Sequence, residues 1–463
     1  MLEKLKKWWF ITPEEEAKSE DSVNTRVLPG QRRSTLGMVI FAVAFAYTIT
    51  AFICGESLLM ATSSEMFWRD LLIGYGALTL LAFVCAYPAY KTGYNTTLIW
   101  RNVFGTRGCI IPAIIIAVLL VFHSGFQCST FGELLFPSGS IQFMLACAVC
   151  GLLMIWAVVK GIKGLEAAAN IAIAFLLVSV GVCLYLTFKD LGGISGMNAL
   201  IDAADHTNPP TETYLLNVLI GSWTIGACNS SNWSRFCKNG WSLFLFVFVT
   251  YFVGQVVLAV LGATSVLTVD TYLFTVYASG VNKVFGIFCI IAFLLALWTT
   301  LNGNIYMTQI PVAAITRGSV RAVGTICGVL AGIMGALTFS RFATPVLNFS
   351  GVLLPPFLGP TIVDYYMNTK RYYYAPEEVA KRLPKWNWVA FVASIAALVC
   401  SQMWLPSWMP EAIWSILLSA IFYMILFYIL KAFGIRTGVD SIEIDAELEK
   451  TRFEPYKPGQ NAK

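Results

Sequence analysis

A chain of 463 residues that is 57% hydrophobic and only 12% charged is excluded from the soluble globular class, where charged residues make up about 25%. It reads as an all-α polytopic membrane protein. Its net charge of +5 reflects membrane topology and carries no nucleic-acid signal. Apolar runs long enough to span a bilayer fall near 38–59, 71–90, 109–131, 141–160, 165–188, 213–232, 241–267, 284–310, 320–339, 344–366, 387–405 and 410–433, which makes twelve expected transmembrane helices.

The cations orient this set. With the N-terminus inside, short cytoplasmic loops carry Lys91, Arg101, Arg107, Lys160, Lys163, Arg235, Lys238, Arg317 and Arg321, with five more between 370 and 385. The external loops carry Arg69, Lys189, Lys283 and Arg341. That bias follows the positive-inside rule and places both termini in the cytoplasm.

Residues 1–35 form a cytoplasmic tail without a signal-peptide layout. Its Trp8-Trp9-Phe10 patch beside Lys4, Lys6 and Lys7 suits an inner-leaflet surface, but a disordered tail is the expectation. The first span has a small, polar interior at Thr48, Thr50, Ala51 and Gly55, suited to tight packing or to unwinding.

In the third span His123 and Gln127 lie one turn apart on one face. An ionisable residue at mid-membrane marks a functional position. It lines a polar cavity, relays protons, or bonds a neighbouring helix as a neutral imidazole. Metal-ligand spacing is lacking around it. Cys147 and Cys150 form a C-x-x-C inside the fourth span, and the other ten cysteines are scattered. They are read as small apolar residues with no redox role.

The sixth span loses its apolar character halfway. About ten residues separate Leu215 from Gly226, roughly half of what a straight crossing needs. Polar Asn229, Ser230, Ser231 and Asn232 follow. Backbone groups freed by such a break must be satisfied within protein or against a cavity. Gly221-Ser222-Trp223 at the break joins close backbone approach, a hydroxyl and a flat ring, which suits a planar hydrogen-bonding ligand.

The eighth span contributes adjacent hydroxyls at Thr299 and Thr300, oxygen ligands for a small hard cation such as sodium, then Asn302, Gly303 and Asn304. Pro355, Pro356 and Pro360 interrupt the tenth span, with Asp364 near its cytoplasmic end. From Arg436 a charged tail is expected to be mobile. Interrupted helices at the first and sixth spans suggest a five-plus-five inverted repeat, about 36–190 and 211–368. Two further helices (about 386–433) complete a transporter domain of 36–433, leaving a tail of 434–463.

Four segments resemble the nucleobase–cation symporter family that includes cytosine permeases and the hydantoin transporter. They are AYKTGYNTTLIWRNVFGTRG (89–108), GSWTIGACNSSNWSRF (221–236), WTTLNGNIY (298–306) and LLPPFLGPTIVDYYMNTKRYYY (353–374). The resemblance implies that Trp223 is the aromatic on which substrate stacks, with Ser222 and Gly221 beside it. It implies that Gln127 contacts ligand, and Asn302 is assigned to the same site. Sodium would sit at Thr299 and Thr300 with first-span carbonyls, for which Thr48 and Ala51 are the expected positions. The chain departs from its relatives in three places. His123 stands where they usually carry a tryptophan, Ala296 where cytosine permeases have a base-reading asparagine, and Asn232 where an aspartate is common.

The expected function is import of a neutral planar nucleobase, such as cytosine, a purine or a hydantoin-like heterocycle, by symport with a cation, sodium, through alternating access in the cell membrane. An amino-acid or other small-metabolite sodium symporter of the same fold and a proton-coupled nucleobase permease are the alternatives. No carboxylate pair or nucleophile-plus-base set supports an enzyme. The expected partners are the small substrate and the lipid bilayer, with no cofactor beyond the coupling ion.

Overall fold

The computed structural model describes residues 9, 22–158, 160–204, 210–211, 213–316, 318–406 and 408–459. Apart from Trp9, the aromatic and lysine patch of the N-terminal tail lies outside them, as does Arg317.

The described chain is helical, with one isolated bridge between Arg33 and Cys237. The helices are α1 (Thr35–Ala46), α2 (Ile49–Leu58), α3 (Ser64–Thr92), α4 (Thr96–Phe104), α5 (Ile110–Glu133), α6 (Ile141–Val158), α7 (Ile162–Asp190), α8 (Gly193–Asp202), α9 (Tyr214–Cys228) and α10 (Ser231–Ser234). Next come α11 (Gly240–Val269), α12 (Phe274–Val281), α13 (Lys283–Thr316), α14 (Val320–Ala336), α15 (Ala343–Leu353), α16 (Leu358–Met367), α17 (Pro376–Arg382), α18 (Trp388–Met403), α19 (Glu411–Ala432) and α20 (Ala446–Glu449).

Among the described residues seven segments are long and apolar enough to cross a bilayer, and the bent pair α1–α2 makes an eighth. The seven are α3, α5, α7, α11, α13, Pro345–Met367 and α19. Residues 141–156, α14 and α18 are apolar but shorter. Large apolar side chains such as Leu80, Leu145, Val284 and Met403 face outward. Such an exposed apolar surface fits lipid rather than water.

Local chemistry sets the boundaries that matter to the site. Ser34 opens α1 by accepting from the Gly37 amide at 3.1 Å, an N-cap that supplies one of the amides left without a helical acceptor. The helix breaks after Ala46, where Tyr47 and Thr48 take ψ of 88° and 137°, and α2 restarts at 56° to α1. In α9 the backbone of Trp223 leaves helical values (φ −135°, ψ 17°). Six residues later Asn229 ends the helix, and the short α10 follows. Within α11, Val249–Val253 form a π-turn, closed by the Gly254 amide on the Val249 carbonyl. A short 3₁₀ turn at Pro355–Phe357 separates α15 from α16, because proline cannot donate to the helical ladder.

The segment before α1 and the segment after α19 meet each other against the bundle. Residues 22–33 dock through Val27 N–H on the Gly93 carbonyl (2.9 Å) and Asn95 Nδ2 on the Val23 carbonyl (2.9 Å). Arg32 donates to the carbonyls of Cys237 (2.8 Å) and Tyr90 (2.9 Å). Burial draws its guanidinium down to about 10, while Tyr456 acts in the opposite sense.

The C-terminal tail, expected to be mobile, is instead packed. Tyr456 donates its hydroxyl to the Lys238 carbonyl (2.6 Å) and its amide to the Lys91 carbonyl (3.0 Å), and its ring lies under Arg32. Arg371 pairs with Asp440 at 3.3 Å and Arg382 with Asp445 at 2.9 Å. Val439, Leu448 and Tyr456 anchor it among buried neighbours. Its apolar residues outweigh the charge pattern that suggested mobility.

Candidate substrate and cation site

The break between α1 and α2 exposes main-chain oxygens beside α13. The Ala51 amide bonds the Thr48 carbonyl at 3.2 Å, so the ladder skips Tyr47. Thr300 donates its hydroxyl to the Tyr47 carbonyl at 2.5 Å. Thr299 reaches the Ala44 carbonyl at 3.2 Å and the Ala296 carbonyl at 2.8 Å. Five oxygens thus stand at the break in two hydrogen-bonded sets: Thr299 with the carbonyls of Ala44 and Ala296, and Thr300 with the carbonyl of Tyr47. All five residues are buried, and uncharged oxygens with no competing ammonium suit a small hard cation at a helix break.

Thr48 and Ala51 do not join this group. Thr48 donates its hydroxyl to Gln255 Oε1 at 3.3 Å and accepts from Thr50 at 3.0 Å. Ala51 lies within α2, beyond the break. The first-span positions beside the threonine pair are Ala44 and Tyr47, because the break opens carbonyls on its N-terminal side.

A small cavity lies beside the kink in α9, lined by His123, Ser222, Trp223, Ile225, Gly226, Asn304 and Met307. Its volume is about 10 Å³, room for the centre of a single water. A planar ring is larger than this space. The Trp223 indole sits edge-on to Phe45 with centroids 5.6 Å apart. It also folds over Gly226, where a Cβ would lie 2.0 Å from Nε1, so only glycine permits that position.

His123 Nε2 meets Ser350 Oγ at 3.3 Å. Ser350 spends its own proton on the Val346 carbonyl at 2.7 Å. The hydrogen-bond network therefore assigns the donor to Nε2 and leaves Nδ1 as an acceptor.

Of the expected substrate residues, the structure brings Trp223, Ser222 and His123 to one cavity. Ser222 donates to the Leu219 carbonyl at 2.7 Å, and its side chain also meets those of Cys54 and Tyr75. Gly221 backs onto Gly351, whose Cβ would lie 3.3 Å from its Cα, and so serves helix contact. Asn302 is fully buried, with neither amide atom hydrogen-bonded, and does not line the cavity. Asn304 does. Residues two apart on a helix differ by about 200°, so Thr300, Asn304 and Met307 share the stripe that faces the break and the kink. Gln127 is fully buried with both amide atoms unpaired, one turn from His123.

Sequence reasoning missed Ser350, Ala44, Tyr47 and Gln255, none of which has a local signature. It also missed the burial of Arg235. That guanidinium is fully buried and donates to the carbonyls of Asn232 (3.3 Å) and Ser22 (3.1 Å) and to the Tyr306 hydroxyl (3.2 Å). Asn232 in turn accepts from the Thr96 amide at 3.1 Å, so the asparagine ties α10 to α4.

Interrupted helices whose polar groups converge inside an apolar bundle are the layout of membrane transporters. Residues 32–430 match the model of the permease family for cytosine/purines, uracil, thiamine and allantoin. The chain belongs to that family. It is 26% identical to the cytosine permease of Escherichia coli strain K12 over 397 residues, covering 85% of this chain and 91% of that one. The fold resembles Mhp1, a nucleobase-cation-symport-1 family transporter in a closed conformation with bromovinylhydantoin bound. The TM-score there is 0.74 at 17% identity, over 90% of this chain and 98% of the other. It also resembles MhsT in complex with L-phenylalanine, at TM-score 0.54 and 14% identity, over 86% and 98% of the two chains.

Proposed function

We propose that this transporter imports a neutral planar nucleobase or related heterocycle across the cell membrane together with sodium, by alternating access. The observation that carries the reading is the single stripe on α13. Thr300 on it meets the Tyr47 carbonyl, and Asn304, one turn on, reaches the cavity shared with Trp223 and His123. A cation held by the five oxygens would fix the α1–α2 break, and that break packs through Phe45 on Trp223.

Substrate stacks on Trp223. Asn304, His123 and Ser222 read its edge, and Gln127 turns its unpaired amide to ligand once the site opens. Neutral donors and acceptors with no arginine or lysine among the lining residues suit an uncharged base better than an amino-acid carboxylate.

The architecture that supports this reading has twelve crossings. That number counts, beside the seven long helices and the bent pair, the three shorter apolar helices and interrupted α9 as crossings of this reading. The repeats run about 36–190 and 211–368 within a transporter domain of 36–433, with two added helices at about 386–433 and both termini cytoplasmic. The test is binding of cytosine, uracil, hypoxanthine, allantoin and hydantoin to the purified protein in sodium and in potassium, followed by vesicle uptake. Saturable binding of one of them, tightened by sodium, is expected. Uptake that follows an imposed proton gradient and ignores sodium would overturn the coupling, and binding of none of them would overturn the substrate class.

A further inference from the structure

One π-turn touches both interruptions. The five residues Val249–Val253 of α11 widen the helix, and such turns occur often at functional sites. From within the turn, Tyr251 donates its hydroxyl to the Gly226 carbonyl at 2.7 Å, just past the kink at Trp223. Four residues on, the Gln255 amide donates to the Ala46 carbonyl at 2.9 Å and to the Thr250 carbonyl at 3.2 Å. Its Oε1 accepts from Thr48. Gln255 therefore holds both edges of the α1–α2 break through Ala46 and Thr48, the break whose Ala44 and Tyr47 carbonyls face Thr299 and Thr300. Gly254 lies between the two contacts, and a Cβ there would come within 2.4 Å of Ala46 Cβ. Tyr251 and Gln255 are both fully buried, so no water competes for these bonds.

We propose that this π-turn couples the substrate site to the cation site, with Tyr251 and Gln255 as positioning residues for the kink and the break. The inference rests on the sodium-symport reading. When cation binding sets the break, Gln255 transmits its position to α11, and Tyr251 passes the shift to the Gly226 carbonyl beneath the Trp223 indole. The same path runs in reverse, since coupling between two ligands is reciprocal. Each link is a hydrogen bond between neutral groups, with two discrete states, made or broken.

The experiment uses full-length purified protein, with sodium binding read by thermal shift against potassium. Cytosine, uracil and allantoin are the base probes. The quantity measured is the factor by which sodium tightens base binding. Gln255→Leu removes three buried hydrogen bonds, two of them to the break, and is expected to weaken sodium binding by about tenfold or more and to bring that factor close to one. Base affinity in potassium should be retained. Tyr251→Phe removes a single oxygen and preserves shape. It should leave sodium binding alone unchanged, weaken base binding and lower the factor, with melting temperature near wild type. A purely structural role would lower the melting temperature of both variants without changing the factor. A wild-type factor above one that survives Tyr251→Phe overturns the proposal alone. A wild-type factor of one overturns the sodium reading and the proposal with it.

Discussion

Thr300 on α13 donates its hydroxyl to the carbonyl of Tyr47, 2.5 Å away and 253 positions earlier in the chain. That contact joins the longest helix of the protein to the break in its first span. Beside it, Thr299 reaches the carbonyl of Ala44, so two adjacent hydroxyls bracket the point where the ladder opens. Replacing both with alanine removes two of the five oxygens. Sodium dependence of base binding should disappear, and so should base dependence of sodium binding, because linkage makes the two factors equal. Thermal shifts titrated with each ligand in the presence and absence of the other measure both.

Trp223 provides the flat wall of the cavity and packs edge-on to Phe45. Base–aromatic stacking contributes roughly 1–3 kcal/mol, so Trp223→Ala should weaken base binding by about one to two orders of magnitude. The purified variant should remain folded. Near-wild-type affinity by calorimetry would move the substrate away from α9.

His123 is held by Ser350 through Nε2, with Nδ1 left to accept. His123→Trp should keep transport and change which bases compete for uptake, since an indole stacks but offers no acceptor. His123→Ala should lower affinity without changing the number of sodium ions per cycle. An unchanged competition profile in the tryptophan variant would return His123 to a structural role.

Asn302 and Asn304 make a paired test of helical phase. Asn304→Ala should weaken base binding by about tenfold, as expected for a lost buried hydrogen bond to ligand. Asn302→Ala should change base affinity little, because the residue does not line the cavity. The reverse ranking, measured in one binding series, would place the substrate on the opposite face of α13.

Gln127 is buried with neither amide atom hydrogen-bonded. An unpaired buried polar group destabilises by about 1–3 kcal/mol. Gln127→Met, which keeps the length of the side chain, should raise the melting temperature of the ligand-free protein and weaken base binding. This opposition between stability and activity is common where a site is built for its ligand. A variant that melts lower and binds normally would show that Gln127 serves packing.

Twelve apolar runs, a polar interruption after Trp223, adjacent threonines and an isolated histidine were all legible along the chain. Hydropathy, helix-breaking composition and i,i+4 spacing are local properties, set by residues within a few turns of one another. They determined the membrane class, the interruption of the first and sixth spans, and the short list of polar residues inside them. Local spacing did not decide which carbonyls meet Thr299 and Thr300. That depends on where the first span breaks against α11, so Ala44 and Tyr47 stand where Thr48 and Ala51 were expected. Nor did it decide between Asn302 and Asn304, since the rotation of α13 is set by its packing against α5 and α7. Ser350 joins His123 across 227 positions and Gln255 joins Ala46 across 209. Pairings at that separation come from the way helices dock, so only the tertiary structure could decide them.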